Sequence, residues 1–388
     1  MAVDWTQLPP DILESISKNL TIYIDYLRFR AVCHTWRISL PTIPHHLPPQ
    51  LPWLMLPLSR SMSQSLSNQT HRSFFDPSVN KVRHLNLPEA SHRKRCCGSS
   101  HGWLLILHET PTILLLNPLT RAKLYFPPLT TFPNVVSFNS SHIGNEYSLG
   151  LEAFPGRTYR HSAKHMRDCF IRKVVLSSSP TKDKSFIALA ILHNPHELAF
   201  CKNGDPGWTF IHNATCFKED VIYHNELFYA VNTQGVIAVY DLHGENSPKV
   251  SIIETRKQFG GDMQYLVISG DELLLVKRYF NLILNHEPHY KTVWFEVFRM
   301  NRSERPEWER VRSLGDRMLF VGGISSLSLS SSDFRGCSGN CIYYGGGFQY
   351  HDLGIFKLWD GSIEPLPSYH PSSVPHLCWT PIWVTPNP

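Results

Sequence analysis

The amino-acid sequence predicts a mainly β protein with a small all-α module at its N-terminus. Apolar residues recur with helical spacing only in the first 40 residues, six prolines follow within residues 41–57, and from residue 74 onward short apolar strands alternate with turn residues. The chain has 388 residues, of which 42% are apolar, so it can bury a large core. We predict a helical module over residues 1–40, a proline-rich linker over 41–73 and a β domain over 74–388.

The predicted helices of the N-terminal module are short. The first follows Pro9 and Pro10, and the apolar residues on one of its faces are Ile12, Leu13, Ile16 and Leu20. A second helix is predicted to begin at Asp25 as its N-cap, and it offers Leu27 and Val32 to the same core, while a third carries Trp36. Three helices of this length bury too little surface to be stable alone. The module therefore needs a partner or the rest of the chain.

The linker is rich in both proline and apolar residues. Its six prolines exclude helix interiors and central strands, so we predict an extended connector. A flexible, solvated linker would expose the apolar side chains of Leu51, Trp53 and Leu54 to water, so we expect the following domain to bury them. We therefore expect a semi-rigid junction with the domain that follows.

The β domain repeats a unit of apolar strand, turn and returning strand. Examples are residues 113–129, 198–211, 236–253, 294–311 and 354–367, and most of them follow a further apolar strand. Sheets of three or four antiparallel strands repeated around a ring form a β-propeller, in which each sheet covers its neighbour. The length of the domain predicts six or seven blades. An open sandwich or two stacked β domains is the alternative.

Charge, cysteine content and hydropathy exclude several classes of protein. The net charge is +5, and two basic strips stand out, because residues 59–95 hold seven Lys or Arg against two acids and residues 157–184 hold eight against two. Without a nucleic-acid-binding motif we interpret both strips as solvated surface. Nine scattered cysteines and no signal peptide predict free thiols in the nucleus or cytoplasm, and no apolar run is long enough to cross a membrane.

No motif in the sequence predicts catalysis, a metal or a cofactor. Gly98, Ser100 and Gly102 match the G-x-S-x-G pattern of hydrolases, but that pattern requires a strand before it and a helix after it. Here a strand follows, so we interpret the glycines as a turn entering a blade. Cys96-Cys97 and the Cys337–Cys341 pair lack a second pair of ligands, and buried thiols are the simpler interpretation.

The first 40 residues resemble an F-box. Leu8 and Pro9 match its Leu-Pro opening, the apolar helix and the segment from Leu27 to Val32 follow, and Trp36-Arg37 matches its close. The rest of the chain resembles the plant F-box family whose C-terminal region is known as domain of unknown function 295. The matching runs, in family order, include KRCCGSSHGWLL, LLLNPLTRAKL, VIYHNELFYAVN, DFRGCSGNCIYY and WVTPNP.

This resemblance implies a non-catalytic substrate receptor of an SCF-type (Skp, cullin, F-box) ubiquitin ligase. The F-box would bind a Skp-type adaptor and, through it, a cullin and a RING protein, while the propeller captures an unknown target protein; no nucleic-acid or membrane partner is expected. The residues implied to bind the adaptor are Leu8, Pro9, Ile12, Leu13, Ile16, Leu20, Leu27, Val32 and Trp36. Core packing of Leu13, Leu20 and Val32 on the propeller is the competing explanation of the pattern.

Two other classes of function stay open at this stage. A family member that has lost adaptor binding would be a regulatory propeller that sequesters partners without promoting ubiquitylation. An enzyme with an active site in the propeller channel would need a cluster of acids or histidines at the blade mouths. The sequence shows no such cluster.

Overall fold

Three short helices form the N-terminal module of the computed structural model. They are α1 (Pro10–Ser17), α2 (Tyr23–Arg30) and α3 (His34–Ser39), preceded by a 3₁₀ turn at Trp5–Gln7. The structure describes residues 4–57, 70–91, 93–151, 154–193, 198–212, 216–244, 248–284, 289–301, 305–346, 352–366 and 380–386. The predicted N-cap at Asp25 was wrong, because Ile22 holds that position and Asp25 lies in the first turn of α2. In that turn its carboxylate interacts favourably with the positive end of the helix dipole.

The module has a core of its own, built from one side of each helix. Its buried members are Leu13, Tyr23, Tyr26, Trp36 and Leu40. Two polar groups in this core are satisfied by the backbone, since Trp36 Nε1 donates to the Trp5 carbonyl at 3.0 Å and the Tyr26 hydroxyl donates to the Pro41 carbonyl at 2.6 Å. These two hydrogen bonds therefore hold the N-terminal and C-terminal ends of the module against its helices.

The remaining elements form a large all-β domain. The strands that follow the module in chain order are β1 (Trp53–Met55), β2 (His71–Asp76), β3 (Lys81–Asn86), β4 (Arg95–Ser100), β5 (Trp103–Leu107), β6 (Ile113–Leu116), β7 (Lys123–Phe126), β8 (Val135–Phe138), β9 (Tyr147–Leu151) and β10 (Phe154–His161). A short helical turn, α4 (Ala163–His165), continues as a π-helical turn over Met166–Phe170. Further 3₁₀ turns lie at Pro88–Ala90, Leu129–Thr131 and Ser331–Asp333.

The second half of the domain continues in the same manner. Its strands are β11 (Ile171–Leu176), β12 (Ile187–Leu192), β13 (Leu198–Lys202), β14 (Thr209–Phe210), β15 (Asp220–His224), β16 (Leu227–Val231), β17 (Ile237–Asp241), β18 (Lys249–Ile253), β19 (Met263–Ser269), β20 (Glu272–Ile283), β21 (His289–Asn301), β22 (Glu307–Val311), β23 (Arg317–Gly322), β24 (Ser325–Ser330), β25 (Cys341–Gly345), β26 (Gly354–Lys357), β27 (Ile363–Glu364) and β28 (Ile382–Val384).

Six of the seven described sheets are blades arranged in a ring. From the inside outward they are β28-β1-β2-β3, β4 to β7, β11 to β14, β15 to β18, β19 to β22, and β24-β23-β25-β26-β27. Each inner strand contacts the inner strands of the neighbouring blades, and all six line a central cavity of about 310 Å³. The prediction of a helical module followed by a six- or seven-bladed propeller is confirmed.

The seventh sheet, β8 to β10, lies outside the ring. The inner strands β4 and β11 of blades two and three contact each other directly, so this sheet has no place at the channel. Instead Phe132, Tyr147 and Leu149 join the core between those two blades, and the Phe132 ring stacks on Trp208 of blade three with centroids 4.8 Å apart. The insertion explains the uneven spacing of the repeats in the sequence.

The proline-rich segment contributes a central strand, contrary to our expectation. β1 lies between β28 and β2, with Trp53 opposite Val384 and Met55 opposite Ile382. The residues Trp53–Met55 contain no proline, so every backbone N–H that the ladder requires is present. The ring is thus closed by pairing a segment near the N-terminus with one near the C-terminus.

The direction of the inner strands gives the propeller two distinct faces. Gly98 of β4 lies against Val174 of β11, and two residues later Ser100 Oγ accepts a hydrogen bond from the Leu176 N–H, so these strands run in parallel. We call the face where the inner strands begin the upper face and the face where they end the lower face. β1 starts on the lower face, because its first residue pairs with the last residue of β28. The N-terminal module therefore joins the propeller from below.

Gly98 permits the close approach of blades two and three. It lies at a bulge in β4, not in the predicted turn, and a Cβ atom there would come within 2.7 Å of the Val174 carbonyl oxygen. Gly98→Ala should lower the free energy of unfolding by about 1–3 kcal/mol, because the backbone of β11 has to shift. Denaturant unfolding measures this change. Gly323→Ala is the matched control, since a Cβ there meets open space, and an equal loss in both variants would contradict the assignment.

Candidate adaptor-binding surface

Large apolar side chains are exposed on the outside of the N-terminal module. Ile12 and Ile16 lie one turn apart on α1 and are 47% and 38% exposed. Val32, just after α2, is also exposed, and Pro9 lies in the exposed entry to α1. Side chains four residues apart point to the same side of a helix, so Ile12 and Ile16 form one continuous apolar strip. Such a strip on a small module is typical of a protein-binding surface.

The structure separates the nine residues implied to bind an adaptor into three groups. Pro9, Ile12, Ile16 and Val32 are exposed, Leu8, Leu20 and Leu27 are half-buried against the core of the module, and Leu13 and Trp36 are buried. Leu13 is fully inaccessible and the Trp36 ring lies inside the module, so the chain alone presents neither at its surface, and their implied contact with an adaptor stays a prediction. Leu13 is only one position from Ile12, which turns it about 100° toward the core. Leu13 lies in the core of the module, Leu20 packs against that core, and Val32 is 58% exposed.

Two exposed residues of this surface escaped the sequence analysis. Trp5 and Ile38 are both largely exposed; Trp5 lies in the 3₁₀ turn whose carbonyl accepts from the Trp36 indole, and Ile38 lies in α3 two residues after Trp36. We call Trp5, Ile12, Ile16, Val32 and Ile38 the N-terminal apolar surface. The position of Ile38 two residues after a buried tryptophan of a helix was the available signal, because such a spacing reaches the opposite face.

Two exposed ion pairs accompany the apolar strip. Lys18 Nζ lies 2.8 Å from Glu14 Oε1, and Arg28 lies 3.1 Å from Asp25. The hydrogen bond and the positive charge of Lys18 lower the pKa of Glu14. Exposed pairs of this kind contribute little to stability, so they give the module a charged rim and do not hold it together.

The module is fixed to the propeller by both apolar and polar contacts. Ile24 of α2 is buried in a core cluster with Trp53 and Phe74 of blade one. Leu119, in the turn between β6 and β7, packs against that cluster and also against the core of the module. Gln50 Nε2 donates to the Thr21 carbonyl at 2.8 Å. The junction therefore holds the N-terminal apolar surface at a defined position on the lower side of the propeller.

The motifs considered for catalysis have structural roles. Ser100 ends β4, and β5 follows after a turn at His101-Gly102, so no helix creates a nucleophile elbow. Burial raises the pKa of Cys96 and raises that of Cys97 to about 12, which keeps both thiols protonated and unreactive. Among the residues that the structure describes, no three His, Cys, Asp or Glu side chains are grouped to hold a metal ion, and no helix is long and apolar enough to cross a membrane.

The second basic strip is divided between exposed and internal residues, and five of its eight cations are exposed: Arg157, Arg160, Lys164, Lys182 and Lys184. Arg167 lies 2.7 Å from Glu109, Arg172 donates to the carbonyls of Lys218 and Glu219, and Lys173 is buried against Asp220. These cations join blades to each other. The interpretation as solvated surface therefore holds for the exposed majority of the strip and not for Arg167, Arg172 and Lys173.

The fold and the surface together define the class of protein. A small helical module with an exposed apolar face, fixed beneath a propeller, is the architecture of an F-box protein. The F-box domain family matches residues 5–41, and the KIB1-4 β-propeller family matches residues 74–357. The chain belongs to the KIB1-4 β-propeller family.

The chain is similar to curated F-box proteins of a plant, and the alignments cover most of both chains. The F-box protein SKIP23 of Arabidopsis thaliana is 29% identical, and the alignment covers 99% of this chain and 96% of that protein. The putative F-box protein At5g60060 of the same plant is 30% identical over 84% of each chain. The putative F-box protein At5g55150 is 27% identical over 99% of this chain and 97% of its own length. These alignments therefore span both the helical module and the propeller of this chain.

Proposed function

We propose that this protein is the substrate-recognition subunit of an SCF-type ubiquitin ligase. The observation that supports the proposal is the N-terminal apolar surface, which lies within the residues that match the F-box domain family and which the rest of the described chain leaves uncovered. A Skp-type adaptor would bury Ile12 and Ile16 in an apolar groove, as an amphipathic helix is buried by its partner. The adaptor would link the chain to a cullin and a RING protein.

The proposed mechanism is proximity, and no residue of this chain takes part in bond making. Binding of a target to the propeller turns ubiquitin transfer to its lysines into an effectively intramolecular reaction. The junction through Ile24, Leu119 and Gln50 matters for this mechanism, because a fixed angle between module and propeller limits the lysines that the charged enzyme can reach. A flexible linker between module and propeller would not restrict the reachable lysines in this way.

Two acidic substitutions on α1 test the proposal. Ile12→Asp with Ile16→Asp should weaken binding of the full chain to a Skp-type adaptor roughly a hundredfold or more, because two carboxylates would be buried without partners. Both side chains are exposed, so the variant should fold. Titration calorimetry with the purified adaptor measures the effect.

Val250→Asp with Ile252→Asp provides the matched control. These residues are also exposed and apolar, but they lie on β18 at the outer edge of blade four. The control should bind the adaptor with the wild-type affinity. If the two double variants lose affinity equally, or if a folded wild-type chain does not bind the adaptor, the proposed function is wrong, and a propeller that sequesters partners becomes the better explanation.

A further inference from the structure

The seventh sheet and the helical turn that follows it enclose a cavity outside the ring of blades. Its volume is about 540 Å³, and the described residues that line it come from residues 134–170 and from His193, just after β12. Leu149 of β9 pairs with Tyr159 of β10, and His161 lies two residues further along β10, so these three side chains share one face of the sheet. That face forms one wall of the cavity, and the helical turn contributes a second wall.

The most deeply buried part of the lining is apolar and firmly packed. Leu149, Met166 and Phe170 are 8%, 1% and 4% exposed and belong to the core between blades two and three. The Phe170 ring meets the Phe132 ring edge to face with centroids 5.0 Å apart, and the Phe170 carbonyl accepts the His193 N–H at 3.0 Å. Because the core already holds these residues in place, little of their conformational entropy is lost when a molecule enters the cavity.

Aromatic rings predominate in the more exposed part of the lining. Tyr159 is 48% exposed, His161 is half-buried, and His165 and His193 are exposed. The His161 and His165 rings are stacked, with centroids 4.7 Å apart and planes inclined by 13°. The sulfur atom of Cys169 adds a polarizable group. Flat, polarizable side chains next to an apolar interior favour a flat aromatic molecule that can stack against them.

The lining of the cavity is uncharged. None of the described residues that line it is Asp, Glu, Lys or Arg. Burial lowers the pKa of His161, and the neighbouring His165 lowers it further, so this imidazole is predominantly neutral at pH 7. Burial raises the pKa of the Cys169 thiol, which therefore stays protonated. A charged molecule would lose its hydration here without gaining a counter-charge, whereas an uncharged molecule can form hydrogen bonds with the imidazoles.

We propose that this cavity binds an uncharged, planar aromatic molecule that carries a hydroxyl or N–H group. The rings of such a molecule would lie against Leu149, Met166 and Phe170, and its polar group would bond to the imidazole of His161 or His165. The inference goes beyond the proposed function and is independent of it, because the cavity lies outside both the N-terminal module and the ring of blades. Binding of such a molecule requires neither the adaptor nor the target protein.

Three related probes test the chemistry of the cavity with the full chain. 2-Naphthol is flat, aromatic and uncharged at pH 7, 2-naphthoate carries a carboxylate, and decahydro-2-naphthol has the same carbon skeleton without aromatic rings. We expect 2-naphthol to bind saturably in ligand-observed NMR titrations. We expect 2-naphthoate to bind roughly tenfold more weakly and decahydro-2-naphthol roughly fivefold more weakly than 2-naphthol.

Alkylation of Cys169 locates the binding site without any substitution. Because this thiol lines the cavity, 2-naphthol at several times its dissociation constant should slow the reaction of Cys169 with N-ethylmaleimide roughly fivefold. Mass spectrometry of the Cys169 peptide measures the rate. Cys216 is exposed and does not line the cavity, so it is the internal control, and its rate of alkylation should not change.

Two tyrosine variants test the contribution of the exposed rings. Tyr159→Ser removes a ring from the cavity and should weaken 2-naphthol binding roughly fivefold. Tyr125→Ser is the matched control, since Tyr125 is also exposed but lies on β7 and does not line the cavity. The assignment is overturned if 2-naphthol does not bind saturably, if either comparison compound binds as tightly, if Cys169 and Cys216 respond alike, or if the two variants bind 2-naphthol equally.

Discussion

Asp220→Ala is expected to lower the free energy of unfolding by about 3–5 kcal/mol, because it leaves the buried ammonium of Lys173 without its counter-charge. Asp220 Oδ1 lies 2.5 Å from Lys173 Nζ, and both side chains are almost completely buried. The same carboxylate accepts the Val221 N–H at 2.9 Å and the Leu266 N–H at 2.8 Å. One side chain thus connects β11, β15 and β19, the inner strands of three successive blades.

Thermal and denaturant unfolding of the purified variant measure this loss. A second variant, Lys173→Met with Asp220→Leu, removes both charges and should recover part of the stability, because no unpaired charge remains. It should not recover all of it, since the N–H groups of Val221 and Leu266 lose their acceptor. A single Asp220→Ala variant as stable as the wild type would show that the blades do not depend on this contact.

Arg278→Met is expected to have an effect of similar size, about 3–5 kcal/mol, through the contact between blades five and six. The Arg278 side chain is completely buried and donates to Thr292 Oγ1 at 2.8 Å and to the Gly346 carbonyl at 2.8 Å. It also lies 3.4 Å from Asp352 Oδ2, and its guanidinium covers the Tyr344 ring at 4.7 Å. Methionine fills much of the volume but satisfies none of these acceptors.

Arg299→Met on β21 is the matched control for this substitution. Arg299 forms exposed ion pairs with Glu272 and Glu309, so its loss should change the unfolding midpoint little. Because Arg278 of β20 also bonds to Thr292 of β21, Arg278→Met should expose the amides of the β20–β21 hairpin to faster hydrogen exchange than those of blade three. Equal stability of the two arginine variants would contradict the role assigned to Arg278.

The sequence predicts local features of this fold well. The spacing of Ile12 and Ile16 indicates both the helix and its apolar strip, because the pattern depends only on residues close in the chain. The repeated strands and turns indicate a propeller for the same reason. The match of Leu8-Pro9 and Trp36-Arg37 to an F-box adds the function that the pattern alone does not supply.

Features that depend on distant contacts were mispredicted or missed. β1 is a central strand only because Trp53 meets Val384 from the other end of the chain, and a proline-rich context conceals that pairing. The burial of Leu13 and Trp36 inside the module follows from three helices packing together, which an apolar pattern does not resolve. Lys173 and Arg278 look like ordinary charged residues in strands, since their partners Asp220 and Asp352 belong to other blades.

The central claim is the proposed function, in which one chain links a Skp-type adaptor bound to its N-terminal module with a target protein bound to its propeller. Capture of a cullin by the immobilised full chain, with and without a purified Skp-type adaptor, tests its first half most directly. We predict that cullin is retained only when the adaptor is present, and that Ile12→Asp with Ile16→Asp abolishes its retention. A folded wild-type chain that retains neither the adaptor nor the cullin would contradict the account.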